Sequence, residues 1–347
     1  MVTDGESSKF DTYVIAEAGV NHDGDLGKAR ELVYAAREGG ANAVKFQTWL
    51  PGELTGRFSR NVAYIEETLR PNEDRAGLSE RLRLPLENFI ELSVLASDLG
   101  LDFLSTPDGF ESLGFLVHEV GIGAIKVGST ELNHLQFLRA VGECHLPVIL
   151  STGLGTLSEV EEALDTLVNA GGQDLKVTLM QCTSEYPAPD DEMNLRVLET
   201  YRHSFGVPVG LSDHSTGVLA PALAVALGAS VIEKHITLSR RDEGPDHATS
   251  LEVEEFREMM ALVRRSEALL GQARKRPTAS EERNRVGIRR GLVAAHNLPM
   301  GTVLCEEDLA CKRPALGLLP KELGLAIGRT TRRALLADEP VGWSDLC

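Results

Sequence analysis

The sequence predicts an α/β chain, a (β/α)8 TIM barrel followed by a small second unit, and three observations carry that expectation. Eight short apolar runs each give way to polar residues at their C-terminal ends. Helical patterns separate the runs. The length, 347 residues, exceeds a minimal barrel by enough to leave room for a further small domain.

The runs are Tyr13 to Ala18, Ala43 to Thr48, Leu101 to Thr106, Ala124 to Ser129, Pro147 to Thr152, Leu175 to Thr183, Val207 to His214 and Val231 to Thr237. Between the first two, Asp25 to Gly39 has apolar residues at helical spacing and a Gly-Gly stop. Glu87 to Leu99, ending at Gly100, repeats the scheme. Ser158 to Ala170 does so with Ser158 as the expected cap, and Pro221 to Leu227 precedes Gly228. Trp49 to Pro85 is too long for a simple βα connection, so it is expected to wall the mouth of the barrel. The charged, turn-rich segment Ser239 to His247 belongs at the same mouth.

After a helix from Val253 to Leu270 the character changes, which sets the expected boundaries. Residues 1–270 form the barrel, the polar and basic stretch 271–286 is a linker, and residues 287–347 are a small, strand-containing, turn-rich domain. A unit of that size buries a limited share of its surface and leans on a partner.

A hydrophobic content of 42% suits a globular core, and no apolar run approaches the roughly 20 residues needed to cross a bilayer. The polar, acidic N-terminus shows no export signal. Five scattered cysteines without metal-knuckle spacing point to reduced thiols and a cytoplasmic location. The net charge of −17 argues against general binding to nucleic acid or anionic membrane. An anionic substrate then needs a locally basic pocket, which Lys45 and Lys126 can supply. A lysine inside an apolar strand must face something polar, because burying an unpaired ammonium is costly. In a barrel of this kind the strand ends converge on the active site. Glu17, Lys45, Lys126, His214 and His235 should therefore meet, with Ser212, Asp213, Glu233 and Lys234 flanking the histidines.

Nine segments in order resemble the N-acetylneuraminate (sialic acid) synthase family, which includes legionaminate and pseudaminate synthases. They are Ile15 to Gly24, Val44 to Thr48, Ser105 to Pro107, Ile125 to Ser129, Leu150 to Gly153, Cys182 to Pro187, Gly210 to Ser215, Glu233 to His235 and Gly244 to His247. The tail, with Lys312-Arg313-Pro314, resembles the antifreeze-like (SAF) domain that ends these enzymes. The resemblance implies condensation of phosphoenolpyruvate with an open-chain N-acylamino-hexose, such as N-acetylmannosamine, to a nine-carbon 2-keto acid with release of phosphate. A divalent metal assists, and water and substrate would complete an octahedral site on His214 and His235. Manganese is the expected ion, with magnesium or cobalt as alternatives.

The resemblance also implies roles. Lys45, Thr106, Lys126, Ser129, Ser151 and Ser212 match phosphoenolpyruvate contacts, and Gln47, Ser184, Tyr186, Asp246 and Arg313 match sugar contacts. Glu17 is the expected acid/base, and Glu131 is a second. Arg313 would reach the mouth of a partner subunit in a domain-swapped homodimer. Ser184 and Trp49 depart from the family's usual residues and are expected to border the sugar site. Three alternatives stay open: a metal-dependent pyruvate aldolase or lyase, a Schiff-base aldolase through Lys45 or Lys126, and a non-catalytic carbohydrate-binding protein.

Overall fold

The computed structural model describes residues 12–54, 56, 66 and 68–347, and the chain divides into two compact units, Met1–Gly271 and Gln272–Cys347. Among the described residues of the first, eight parallel strands follow one another around a ring. These are β1 (Tyr13–Gly19), β2 (Ala43–Thr48), β3 (Asp102–Pro107), β4 (Ile125–Val127), β5 (Val148–Ser151), β6 (Val177–Cys182), β7 (Val209–Asp213) and β8 (Val231–His235). Hydrogen bonding runs in the order β3-β2-β1-β8-β7-β6-β5-β4, and β3 lies beside β4 to complete the barrel.

The helices form where their ends are chemically fixed. Asp25 accepts the Lys28 N–H at 2.8 Å to start Leu26–Gly39, and Gly40 at φ 85° ends it. Thr156, not Ser158, caps Leu157–Gly171. Its hydroxyl accepts from the Glu159 N–H while the Glu159 carboxylate accepts from the Thr156 N–H at 2.7 Å. The reciprocal pair satisfies two otherwise orphaned amides, which Ser158 inside the first turn could not do.

Each strand places alternate side chains on opposite faces. Outward residues such as Val14, Val44, Phe46, Leu150 and Ile232 join the helices in the main core. Inward residues Ile15, Ala43, Leu104, Ile149, Met180 and Val231 fill the barrel as a separate apolar plug. Gly210 keeps that plug closed, since a Cβ there would lie 2.4 Å from the Met180 sulfur. Two residues further along each strand, the inward series turns polar.

The long segment after β2 contains a helix, Arg75–Leu82, while residues 55, 57–65 and 67 lie outside the described part. In the second unit, β9 (Gly291–Ala294) and β10 (Leu309–Lys312) pair antiparallel over a small core of Leu292, Leu298, Leu304, Leu318 and Leu335. Within the stretch expected as a linker, 271–286, the helix Ala279–Ile288 begins, started by a Thr278–Glu281 capping box. Exposed helices lack the apolar periodicity that reveals buried ones, so only the cap could have announced it.

Candidate active site at the barrel mouth

The first polar step of the inward series is Glu17, Lys45, Thr106, Lys126, Ser151, Cys182, Ser212 and Glu233, and all are buried. Lys45 Nζ lies 2.7 Å from Glu17 Oε2, donates to Thr106 Oγ1 at 3.0 Å, and stands 3.8 Å from Glu233 Oε1. Lys126 Nζ donates to Ser151 Oγ at 2.8 Å and lies 3.6 Å from the same Glu233 oxygen, which also accepts from Ser212 Oγ at 3.2 Å. Two ammonium groups thus flank one carboxylate beneath three hydroxyls.

Burial opposes charge on Lys45, but Glu17 and Glu233 outweigh it and hold the ammonium above its ordinary pKa. For Lys126 burial wins over Glu233, and its pKa is lowered. Burial pushes Glu17 up to about 7 although Lys45 pulls the other way. Glu233 is also disfavoured by burial, yet Lys126 and Lys45 keep its pKa below the usual carboxylate value. One buried carboxylate is therefore held ionised and another is poised near neutrality.

The next inward step carries Gly19, Gln47, Asp108, Ser184, His214 and His235. Gln47 donates to Glu17 Oε1 at 3.1 Å. Gly19 adopts φ +50°, and a Cβ there would meet Glu17 Oε1 at 3.1 Å, Asp246 Oδ2 at 3.4 Å and Gln47 Nε2 at 3.5 Å. Three of the expected residues thus close around one glycine. The rings of His214 and His235 are 5.5 Å apart. His214 Nδ1 donates to the Thr183 carbonyl at 2.8 Å, which turns Nε2 towards the Tyr186 hydroxyl at 3.0 Å. Tyr186 stacks on His214 with centroids 4.1 Å apart.

His235 Nδ1 is buried without a hydrogen bond, with Asp246 Oδ2 3.5 Å away, and burial followed by the charge of His214 lowers its pKa well below the ordinary value. A buried imidazole with an orphaned nitrogen, a second imidazole whose Nε2 faces the Tyr186 hydroxyl, and a carboxylate beside them are a donor set that would suit a divalent cation once His214 is neutral and Tyr186 gives way. Burial also raises Asp246, to about 6.

Other expected residues sit nearby in different ways. Ser129 accepts from the Gly153 N–H at 2.9 Å, and Ser184 packs over Gly153, where a Cβ would lie 2.2 Å from its hydroxyl. Glu131 follows β4 but holds His134 Nδ1 at 2.6 Å. Trp49 does not border the site. It turns into a satellite cluster with Val20, Leu78 and Leu82, and its indole N–H donates to the Ser79 carbonyl at 3.3 Å. Arg313 is exposed in the second unit.

Two members of the polar steps carry more than the sequence indicated. Glu233 is the shared partner of both lysines, and Asp108 has its Oδ2 shut away without a hydrogen bond and its pKa raised to about 8 by burial and Glu131. Counting in twos from the apolar plug reaches both, so the signal was present in the strand period.

Comparison with known proteins places this geometry. The NeuB family model matches residues 32–275 and the SAF domain model matches 289–346. The chain is 37% identical to the N,N'-diacetyllegionaminic acid synthase of Legionella pneumophila over 98% of its own length and 96% of that protein. It is 30% identical to the human N-acetylneuraminate-9-phosphate synthase, covering 95% and 91% of the two chains. A crystal structure of N-acetylneuraminic acid synthetase from Leptospira borgpetersenii superposes with a TM-score of 0.69 at 31% identity, covering 79% of this chain and 90% of that one.

Proposed function

This chain belongs to the NeuB family of carbon–carbon bond-forming synthases, and we propose that it condenses phosphoenolpyruvate with an open-chain N-acylamino-hexose, releasing phosphate and a nine-carbon 2-keto acid. One observation carries this reading: two buried lysines with hydroxyl donors share a single mouth with a near-neutral carboxylate, Glu17, and a pair of imidazoles.

Lys45 and Lys126, with the hydroxyls of Thr106, Ser151 and Ser212, supply the fixed positive charge and donors that a phosphate and a carboxylate require. Gln47, Tyr186 and Asp246 would contact the sugar chain. C3 of phosphoenolpyruvate forms a bond to the aldehyde carbon, and the aldehyde oxygen takes up a proton to become a hydroxyl. Water then adds to the electron-deficient C2, and Glu17 accepts its proton. The C2–O bond to phosphate breaks as the new C2 hydroxyl becomes the ketone, and phosphate departs with the bridging oxygen and that hydroxyl's proton. A raised pKa suits Glu17 to this exchange, because a base titrating near the working pH both accepts and returns protons efficiently. His214 and His235 would hold a divalent cation, manganese before magnesium or cobalt, which supplies Lewis-acid polarisation of the aldehyde.

The test incubates the protein with phosphoenolpyruvate, manganese and a panel containing N-acetylmannosamine and a diacetamido-hexose, following phosphate and product mass. Sugar-dependent phosphate release with a product heavier by the pyruvate unit supports the assignment. Product from pyruvate without phosphate release would instead make the protein a lyase.

A further inference from the structure

A charged pair behind the two histidines takes no part in the steps above. Asp213 and Lys234 immediately precede His214 and His235, and they are register partners on β7 and β8. By strand alternation their side chains point away from the barrel interior, opposite to Ser212, Glu233 and His235. Both side chains are 0% exposed. Lys234 Nζ donates to Asp213 Oδ2 at 2.7 Å and to the Ser215 carbonyl. Asp213 Oδ1 accepts from the Ser215 N–H at 2.9 Å and from its hydroxyl at 2.7 Å. The residues on both sides of His214 are thereby tied to the residue beside His235.

Stability alone does not account for this arrangement. Removing two full charges from water is costly, and an apolar pair of the same volume often packs as well or better. What the ionic pair adds is direction, since two hydrogen bonds from Lys234 fix the end of one strand against the other and two more from Ser215 to Asp213 hold that end in shape. The backbone that carries one imidazole is locked to the backbone that carries the second. We propose that Asp213 and Lys234 are the positioning residues of the cation site, setting the separation and orientation of His214 and His235 from behind. This inference rests on the reading that those histidines hold a divalent cation. Groups of this kind, which orient ligands without touching the ion, commonly change metal affinity by about 10–100-fold.

The test compares wild type with Asp213→Asn, Lys234→Met and the double variant Asp213→Leu/Lys234→Met, which leaves no unpaired buried charge. Free manganese is measured by electron paramagnetic resonance during titration, phosphoenolpyruvate binding by calorimetry, and folding by thermal melting. The double variant should melt close to wild type and bind phosphoenolpyruvate within about two-fold of it, yet bind manganese about 10–100-fold more weakly. A double variant that melts like wild type and binds manganese equally well would overturn the proposal and reduce the pair to packing. Should the single variants fail to fold, the double variant decides alone. The underlying reading has its own control, a His214→Ala/His235→Ala variant. Wild type that binds no manganese, or binds it no better than this control, overturns the cation site and the proposal with it.

Discussion

Glu17 is the residue to which the proposed function gives the proton transfer, and burial is the largest influence on its properties. Its pKa stands near 7 against an ordinary 4.5, so folding favours its protonated form. The stability it contributes is complete below about 4.5 and is lost as pH rises through about 7, the range in which it becomes a usable base. The ratio kcat/KM, which reports the free protein, should therefore climb with pH through about 7, and Glu17→Gln should remove that limb together with most activity while calorimetry still registers phosphoenolpyruvate. A pH–kcat/KM profile unchanged by the substitution would assign the proton to another group. Gly19 makes a second residue-level case. A methyl there would stand 3.1 Å from Glu17 Oε1 and 3.4 Å from Asp246 Oδ2, on a backbone at φ +50°. Gly19→Ala should cost roughly 1 kcal/mol in stability from the backbone alone. It should raise the sugar KM more than the phosphoenolpyruvate KM, which steady-state kinetics with each substrate varied would show.

At the scale of elements, the strands owe their polar mouth to a period of two interrupted once. The inward face of the strands is apolar where it plugs the barrel and polar or ionisable one step later, so the same pleat supplies both core and candidate site. The segment after β2 obeys a different logic. Trp49, Leu78 and Leu82 pack with Val20 from the loop after β1, and this satellite cluster pins the helix Arg75–Leu82 against that loop. Gly24 permits the close approach, since a Cβ there would lie 2.4 Å from the Arg81 carbonyl. Removing the indole with Trp49→Ala should cost about 3 kcal/mol locally. Hydrogen exchange in Arg75–Leu82 should then quicken far more than in β1 or β8, because the satellite can open without the barrel. Uniform acceleration across the barrel would show instead that the cluster belongs to the main core.

For the whole molecule, the question is how the tail serves the barrel. We propose a homodimer in which Arg313 of one chain completes the sugar site of its partner. Arg313 is exposed on a small unit whose surface also presents Met300, Val303, Leu316, Leu325 and Leu336. Mixing an Arg313→Ala chain with a Glu17→Ala chain, each nearly inactive alone, should restore about half of wild-type activity per mixed dimer, because one mouth then carries both defects and the other neither. Verified mixed dimers without recovery would mean that each tail acts on its own barrel or that Arg313 is a surface charge.

The sequence by itself determined the fold class, the ring of polar strand ends and most of the residues that meet in the candidate site. Glu17, Lys45, Lys126, His214 and His235 could be found because a charged side chain in an apolar strand must point at something polar, and in a barrel the strand ends share one mouth. Local signals also placed most helices, and failed where a helix is exposed throughout, as at Ala279–Ile288. Tertiary structure alone decided which charges answer one another. Nothing near Lys45 or Lys126 in the chain announces Glu233 as their common partner, nor Asp213 as the partner of Lys234. Trp49 likewise went to a hydrophobic cluster supplied partly by a helix well downstream of it. Strand period is a property of neighbouring residues, whereas neutralising a buried charge or covering an indole depends on closing the barrel and so bringing distant segments within a few ångströms.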